Sequence, residues 1–224
     1  MTNQDVFQII STTRAMRRLK PDPLPDDMIV TILEAAVCAP NSGNRQGWRF
    51  LVVKDPLIKS AVQRIYKRAY DAVAAPMYNA ATTPPGVTPE KYARQHAAVE
   101  YLTDHFDEAP VWIVACLDEG TVGDDPVKTT VSRFAGASIY PAVQNMLLAA
   151  RALGLGATLT TRHLIYEAEA NAALGLPPGV YSYAILPIGY PIGNFGPVAR
   201  AALSEIVFGD RYGETWAALN NDNR

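Results

Sequence analysis

The chain of 224 residues has few of the side chains that build covalent staples or metal centres: two cysteines and three histidines. Cys38 lies in an apolar helical pattern and Cys116 in the run Val111-Trp112-Ile113-Val114-Ala115-Cys116-Leu117, so both read as buried reduced thiols. His96, His105 and His163 have no cysteine at ligand spacing and form no His-Glu-x-x-His pattern, which removes the raw material for a metal site. His105, followed by Asp107 and Glu108, reads as a solvated helix end. Basic residues are not in excess. Lys plus Arg number 20 against 22 for Asp plus Glu, a net charge of −2, without the positive surplus that nucleic-acid binding requires. No apolar run approaches the roughly 18 residues of a membrane span. Asp5 comes early and the arginines follow the first apolar residues, the reverse of a signal peptide, so a cytoplasmic location is expected. Gly-x-Ser-x-Gly and the Walker lysine motif are missing too, which leaves serine hydrolysis and ATP chemistry without support.

What is present fits one domain over residues 1–224, with 49% hydrophobic and 19% charged residues. Asn3 caps an expected helix through Thr12, and a Pro-rich turn at Pro21–Pro25 leads into a second helix that ends before Pro40. Trp48–Val53 reads as a short strand apolar enough to be buried on both faces. Residues 56–108 are mostly helical in pattern, broken at 81–89, and residues 78–93 read as a lid-like loop. Further strands are expected at Val111–Leu117, Ala157–Thr160 and Tyr183–Gly189, and a strand-like run at Leu203–Phe208, with a long helix from about Arg133 to Leu153. Helices around a modest sheet whose strands are far apart in sequence predict an α+β layered fold.

Two segments carry the chemistry. Thr13-Arg14-Ala15-Met16-Arg17-Arg18 sets two guanidinium groups three residues apart, which on one helical turn would close on a single phosphate. About two dozen residues later, Ala39-Pro40-Asn41-Ser42-Gly43-Asn44-Arg45-Gln46-Gly47-Trp48 offers amides and hydroxyls to a flat polar ring. Gly154-Leu155-Gly156 has its helix before the glycines and Leu159 at the third glycine position, so it is not a dinucleotide fingerprint. Gly189–Pro197 is Gly-rich but has no following lysine and reads as a connector.

In these two segments the chain resembles the FMN-dependent nitroreductase family, whose fingerprints are Arg-Arg-Ser-x-Arg and Pro-Ser-Ser-x-Asn-x-Gln-Pro-Trp. Thr13 and Ala15 depart from the first, Asn41 and Gly47 from the second. The resemblance implies a nitroreductase-like layered fold, a mixed central sheet flanked by helices, and a homodimer in which the tail from Pro197 to Arg224 extends over the partner subunit. It assigns FMN contacts to Thr13, Arg14, Ala15, Arg17, Asn41, Ser42, Asn44, Gln46, Leu159, Thr160, Thr161 and Arg200. A backbone N–H among Leu159–Thr161 would meet flavin N5, Ser138 to Asn145 with Gln144 would lie behind the ring, and Arg200 would be the last phosphate ligand. No catalytic side chain is required. Electrons from NAD(P)H would pass through the flavin to a nitroaromatic, quinone or similar acceptor by a ping-pong route. A flavin-sequestering protein and a reductive dehalogenase are the alternatives within that resemblance, and residues 66–108 decide the substrate.

Overall fold

The computed structural model describes residues 5–83, 87–120 and 128–219, the backbone alone for 128–135. Asn3 and the tip of the expected lid, Pro84–Gly86, lie outside the described residues. In chain order the elements are α1 (Val6–Thr12), α2 (Asp26–Val37), β1 (Trp48–Val53), α3 (Pro56–Ala69), α4 (Ala75–Ala80), α5 (Pro89–Asp104), β2 (Val111–Asp118), α6 (Lys128–Ala152), β3 (Gly156–Ala157), α7 (Glu167–Ala173), β4 (Val180–Gly189) and α8 (Leu203–Ile206). A π-helical turn, Tyr70–Ala74, joins α3 to α4.

The sheet runs β1-β2-β4-β3, and every described pairing is antiparallel where a mixed sheet was expected. The chain reverses between β1 and β2 and between β3 and β4, while the crossover through α6 brings β3 back in the same direction as β2, on the far side of β4. Alternation along β2 sorts the core into two layers. Val111, Ile113, Ala115 and Leu117 face α2 and α6, packing with Ile29, Ile32, Ile139 and Met146. Trp112, Val114 and Cys116 face the other way, onto Val62 and Tyr66 of α3, Phe106 and Leu174. There Tyr66, Phe106 and Trp112 stack at centroid distances of 4.2 and 4.3 Å, and the Trp112 indole N–H donates to the Phe106 carbonyl at 3.0 Å.

Several expectations change. β1 is an outer strand of the described sheet, so its run is not buried on both faces: Val52 is 41% exposed and Arg49 pairs with Asp118 at 3.2 Å. The third strand shrinks to Gly156–Ala157 because the chain leaves the ladder and rejoins it only at Thr160, opposite Ile185. Of the run Leu203–Phe208, Leu203–Ile206 forms the short helix α8 and Phe208 makes a single bridge to Thr215. Cys38 is exposed at the C-cap of α2, while Cys116 is buried and its thiol is pushed up to about 12 by burial. The lid is largely the end of α4 and the start of α5, leaving 81–88 between them. His105 does close α5, bonded to Glu108 at 2.8 Å.

Residues 13–20 are not a helical turn. Met16 N–H donates to the Ala157 carbonyl (3.0 Å), Lys20 N–H to Tyr190 (2.8 Å), and Ile192 N–H to Arg18 (3.0 Å), which lays the segment extended along the end of the sheet. Gly154, at φ +76°, ends α6, and Leu155 N–H closes the terminus on the Ala150 carbonyl at 2.8 Å. Gly156 is then wedged beneath the extended segment. A Cβ there would lie 2.8 Å from Leu19 and 2.9 Å from Met16. The G156A variant is expected to lose on the order of 1–3 kcal/mol of stability through overpacking, read as a lower urea midpoint at unchanged m-value; a wild-type midpoint would show that the wedge is not tight.

Candidate functional site

The extended segment places Arg14, Ala15 and Arg17 on a cavity of about 690 Å³ that Arg200, Pro197 and Val198 of the tail complete. The tail is held there by a bond from Val198 N–H to the Ser11 carbonyl at 3.0 Å. Thr13 does not line this cavity; its hydroxyl turns back to the Ile9 carbonyl at 2.7 Å, capping its own helix. Across the cavity stand Tyr78 and the first turns of α5, with Lys91, Tyr92, Arg94 and His96. No aspartate or glutamate is among the described lining residues.

A second cavity of about 310 Å³ adjoins it, bordered by Thr158, Leu159, Thr160 and Thr161 on one side and by Val73, Ala74 and Met77 on the other. Arg17, Tyr78 and Val99 line both, so the two spaces form one slot with a cationic end. Arg17 is half-buried, and burial pulls its guanidinium below the usual range, with Arg162 adding to the effect and Tyr78 and Tyr66 opposing it. It stays charged at neutral pH nonetheless. Neither Arg14 nor Arg17 has an ion pair among the described residues.

The floor beside Thr160 is rigid. Thr160 exchanges two backbone hydrogen bonds with Ile185 (3.0 and 2.9 Å), and its hydroxyl meets the Tyr66 hydroxyl at 2.9 Å, joining the site to the aromatic stack of the core. Arg162 lies between the Tyr66 and Tyr70 rings at 4.5 and 4.8 Å and donates to Thr103 Oγ1 at 2.7 Å. Sequence reasoning missed Arg162, Lys91 and Arg94. The available signals were a cation directly after the Thr160-Thr161 pair, and two cations three apart behind Pro89.

Asn41, Ser42, Asn44 and Gln46 line neither cavity. They form a separate exposed turn on the α2–α6 side, where Ser42 N–H donates to Ser138 Oγ (3.2 Å) and Gln46 N–H to Asn41 Oδ1 (2.9 Å). Gly43, Asn44 and Gln46 all have left-handed backbone, at φ +57°, +51° and +50°. For Asn44 and Gln46 that conformation is uncommon, and such strain persists where the shape of the segment matters. Gln144 is exposed, and Asn145 is a strut between helices, its amide donating to the Ala35 carbonyl at 3.0 Å.

The profile of the nitroreductase family matches residues 10–190. The chain belongs to the nitroreductase family. The NADH dehydrogenase of Thermus thermophilus is 28% identical over 211 residues, 87% of this chain and 90% of that protein. Iodotyrosine deiodinase 1 of Rattus norvegicus is also 28% identical, over 191 residues that make up 85% of this chain and 64% of the deiodinase. Among solved structures, a nitroreductase with bound FMN from Desulfitobacterium hafniense superposes with a TM-score of 0.67 at 20% identity, covering 92% of this chain and 99% of that one. The nitroreductase fold is therefore the frame for the slot described above.

Just past the slot, His163 is fully buried. Its Nε2 lies 3.2 Å from Ser182 Oγ, whose own proton goes to Asn171 Oδ1 at 2.7 Å; Nε2 must then be the donor, and Nδ1 has no partner among the described residues. Burial lowers the imidazole from 6.5 to about 4. The native state thus keeps His163 neutral where the unfolded chain would already bind a proton. Stability is retained above pH 6.5 and falls as pH drops from 6.5 toward 4, at up to about 1.4 kcal/mol per pH unit for this residue. H163Q should flatten that part of the stability–pH profile measured by urea unfolding, and an unaltered slope would assign the acid sensitivity to other groups.

Proposed function

We propose that this protein is an FMN-dependent oxidoreductase that takes electrons from NAD(P)H and passes them to a flat acceptor such as a nitroaromatic or a quinone. The observation that carries the reading is the slot: Arg14, Arg17 and Arg200 converge on a cavity with no carboxylate among its described lining residues, and Arg17 joins it to a ring-sized space beside Leu159–Thr161. Unpaired guanidinium groups at one end and backbone plus aromatic surface at the other match a phosphate on a planar heterocycle. Bound FMN would supply the redox chemistry, exchanging electrons with both substrates in turn. The protein's part is positional. Arg14, Arg17 and Arg200 hold the phosphate, the strip from Thr158 to Thr161 supplies fixed polar backbone, and Tyr78, Val73 and Met77 restrict water and shape the open side. No side chain in the slot needs to exchange a proton with a substrate.

The chain should act as a homodimer. Asn41, Ser42, Asn44 and Gln46, which line no cavity of their own chain, are then available to the slot of the second copy. Two apolar surfaces support this: α1 exposes Phe7 at 74%, and the tail exposes Leu203, Ile206 and Trp216, so that neither element has a buried residue. The deiodinase relative supports a second reading, reductive removal of halogen from a halogenated phenol.

Purified protein is expected to be yellow and dimeric, with one FMN per subunit, and to bleach on anaerobic addition of NADPH. Arg17→Ala should weaken FMN binding about 10- to 100-fold, the loss of one or more charge-assisted hydrogen bonds of about 1.5–3 kcal/mol each. Equal FMN affinity in wild type and the Arg14→Ala/Arg17→Ala double variant would sink the phosphate assignment; a flavin-loaded monomer in light scattering would sink the dimer. Turnover of menadione against 3-iodotyrosine under the same reductant separates the two activities.

A further inference from the structure

Five cationic side chains border the larger cavity, whereas the phosphate of a flavin monophosphate carries only about two negative charges. They stand on two walls. Arg14 and Arg17 belong to the extended segment, and Arg200 to the tail that is bonded to Ser11 of α1 just before it. Lys91 and Arg94 belong to α5, three residues apart and therefore on one helical face. Neither has an ion pair within 4 Å among the described residues; the Glu90 carboxylate is held below its usual range first by its own backbone N–H and by Thr88, with the Arg94 charge a smaller contributor. His96, between them and the core, is already occupied by the Tyr70 hydroxyl at 3.1 Å and the Tyr78 ring at 4.9 Å.

We propose that Lys91 and Arg94 form a second anion subsite, which receives a phosphoryl group of the nicotinamide dinucleotide that reduces the enzyme. The inference rests on the reading of the protein as an FMN-dependent NAD(P)H oxidoreductase. Because the two cavities share Arg17, Tyr78 and Val99, a nicotinamide laid over the flavin ring at the open side of the smaller space, beside Tyr78, Val73 and Met77, would have a continuous path for its anionic extension to α5. A compact ammonium beside a guanidinium fork matches the charge and the oxygen geometry of one phosphoryl group. A dinucleotide offers such groups in two places: the bridging pyrophosphate, common to NADH and NADPH, and the 2′-phosphate, found only in NADPH.

The test uses the FMN-loaded K91Q/R94Q protein. Binding of 2′,5′-adenosine bisphosphate and of ADP-ribose to the oxidised protein is measured by calorimetry, and the KM for NADPH and NADH by steady-state kinetics. At least one probe should lose tenfold or more in affinity, with a matching rise in KM for the corresponding reductant, while FMN content stays at the wild-type level and K91R/R94K restores binding. A loss confined to 2′,5′-adenosine bisphosphate and NADPH identifies the 2′-phosphate; a loss shared by ADP-ribose and NADH identifies the pyrophosphate. Unchanged affinity for both probes overturns the subsite. Loss of FMN from K91Q/R94Q also overturns it, by placing the pair in the flavin site and leaving the flavin reading intact. A wild-type protein that binds no FMN would defeat that reading separately, and the same probe titrations on it would still decide whether Lys91 and Arg94 hold a phosphoryl group.

Discussion

Everything in the slot depends on backbone hydrogen bonding at the C-terminal end of β4. Within five residues this strand takes Thr160 against Ile185, Ala157 against Ile188 and Gly156 against Gly189; Leu19 then pairs with Pro191 just beyond. Three stretches that are distant in sequence become neighbours through main-chain groups alone, which are obligatory donors and acceptors and cannot be left unpaired in the interior at acceptable cost. Side-chain identity then decides only what is displayed. Arg17 is displayed because Met16, next to it, must point inward with its N–H on Ala157. The distance between the cationic end and the Thr158–Thr161 strip is thus set by sheet geometry and not by flexible loops.

The same ladder explains what could be read from the sequence and what could not. Strongly periodic or continuously apolar stretches, Trp48–Val53, Val111–Leu117 and the α6 pattern, were legible because hydrophobic burial is a local, high-amplitude signal. That Arg14 and Arg17 face one space was legible, and both line the same cavity, but their conformation was not. Spacing of three suggests a helical turn, and what overrules it is pairing with Ala157 and with Tyr190–Ile192, far later in the chain, which no local pattern encodes. Thr160–Ile185 and the short β3 were obscure for the same reason. Cys38 failed differently: the face that α2 buries runs through Ile29, Ile32 and Ala36 to Ala39, and Cys38 lies off that face. Lys91 and Arg94 look like ordinary surface charge until the fold turns that face of α5 toward the arginines.

Charge segregation follows from this arrangement. A chain with a net charge of −2 collects five cations around one cavity and keeps every carboxylate of the described residues off its lining. Such a recess focuses field lines and favours anionic visitors over the near-neutral average of the surface. Behind the recess, Tyr66 connects Thr160 to Phe106 and Trp112, so that the polar floor is stiffened by the largest buried rings of the molecule.

The turn at Gly43–Gln46 has a consequence for how this family member can change. Asn44 and Gln46 hold a left-handed backbone that glycine would adopt without a Cβ penalty, so the amide side chains are retained at an energetic disadvantage. Selection for thermal robustness alone would drift both positions toward glycine, loosening the turn while lowering its strain. A laboratory lineage evolved only for heat resistance would accordingly erode this turn, trading a preorganised shape for a more tolerant but floppier one.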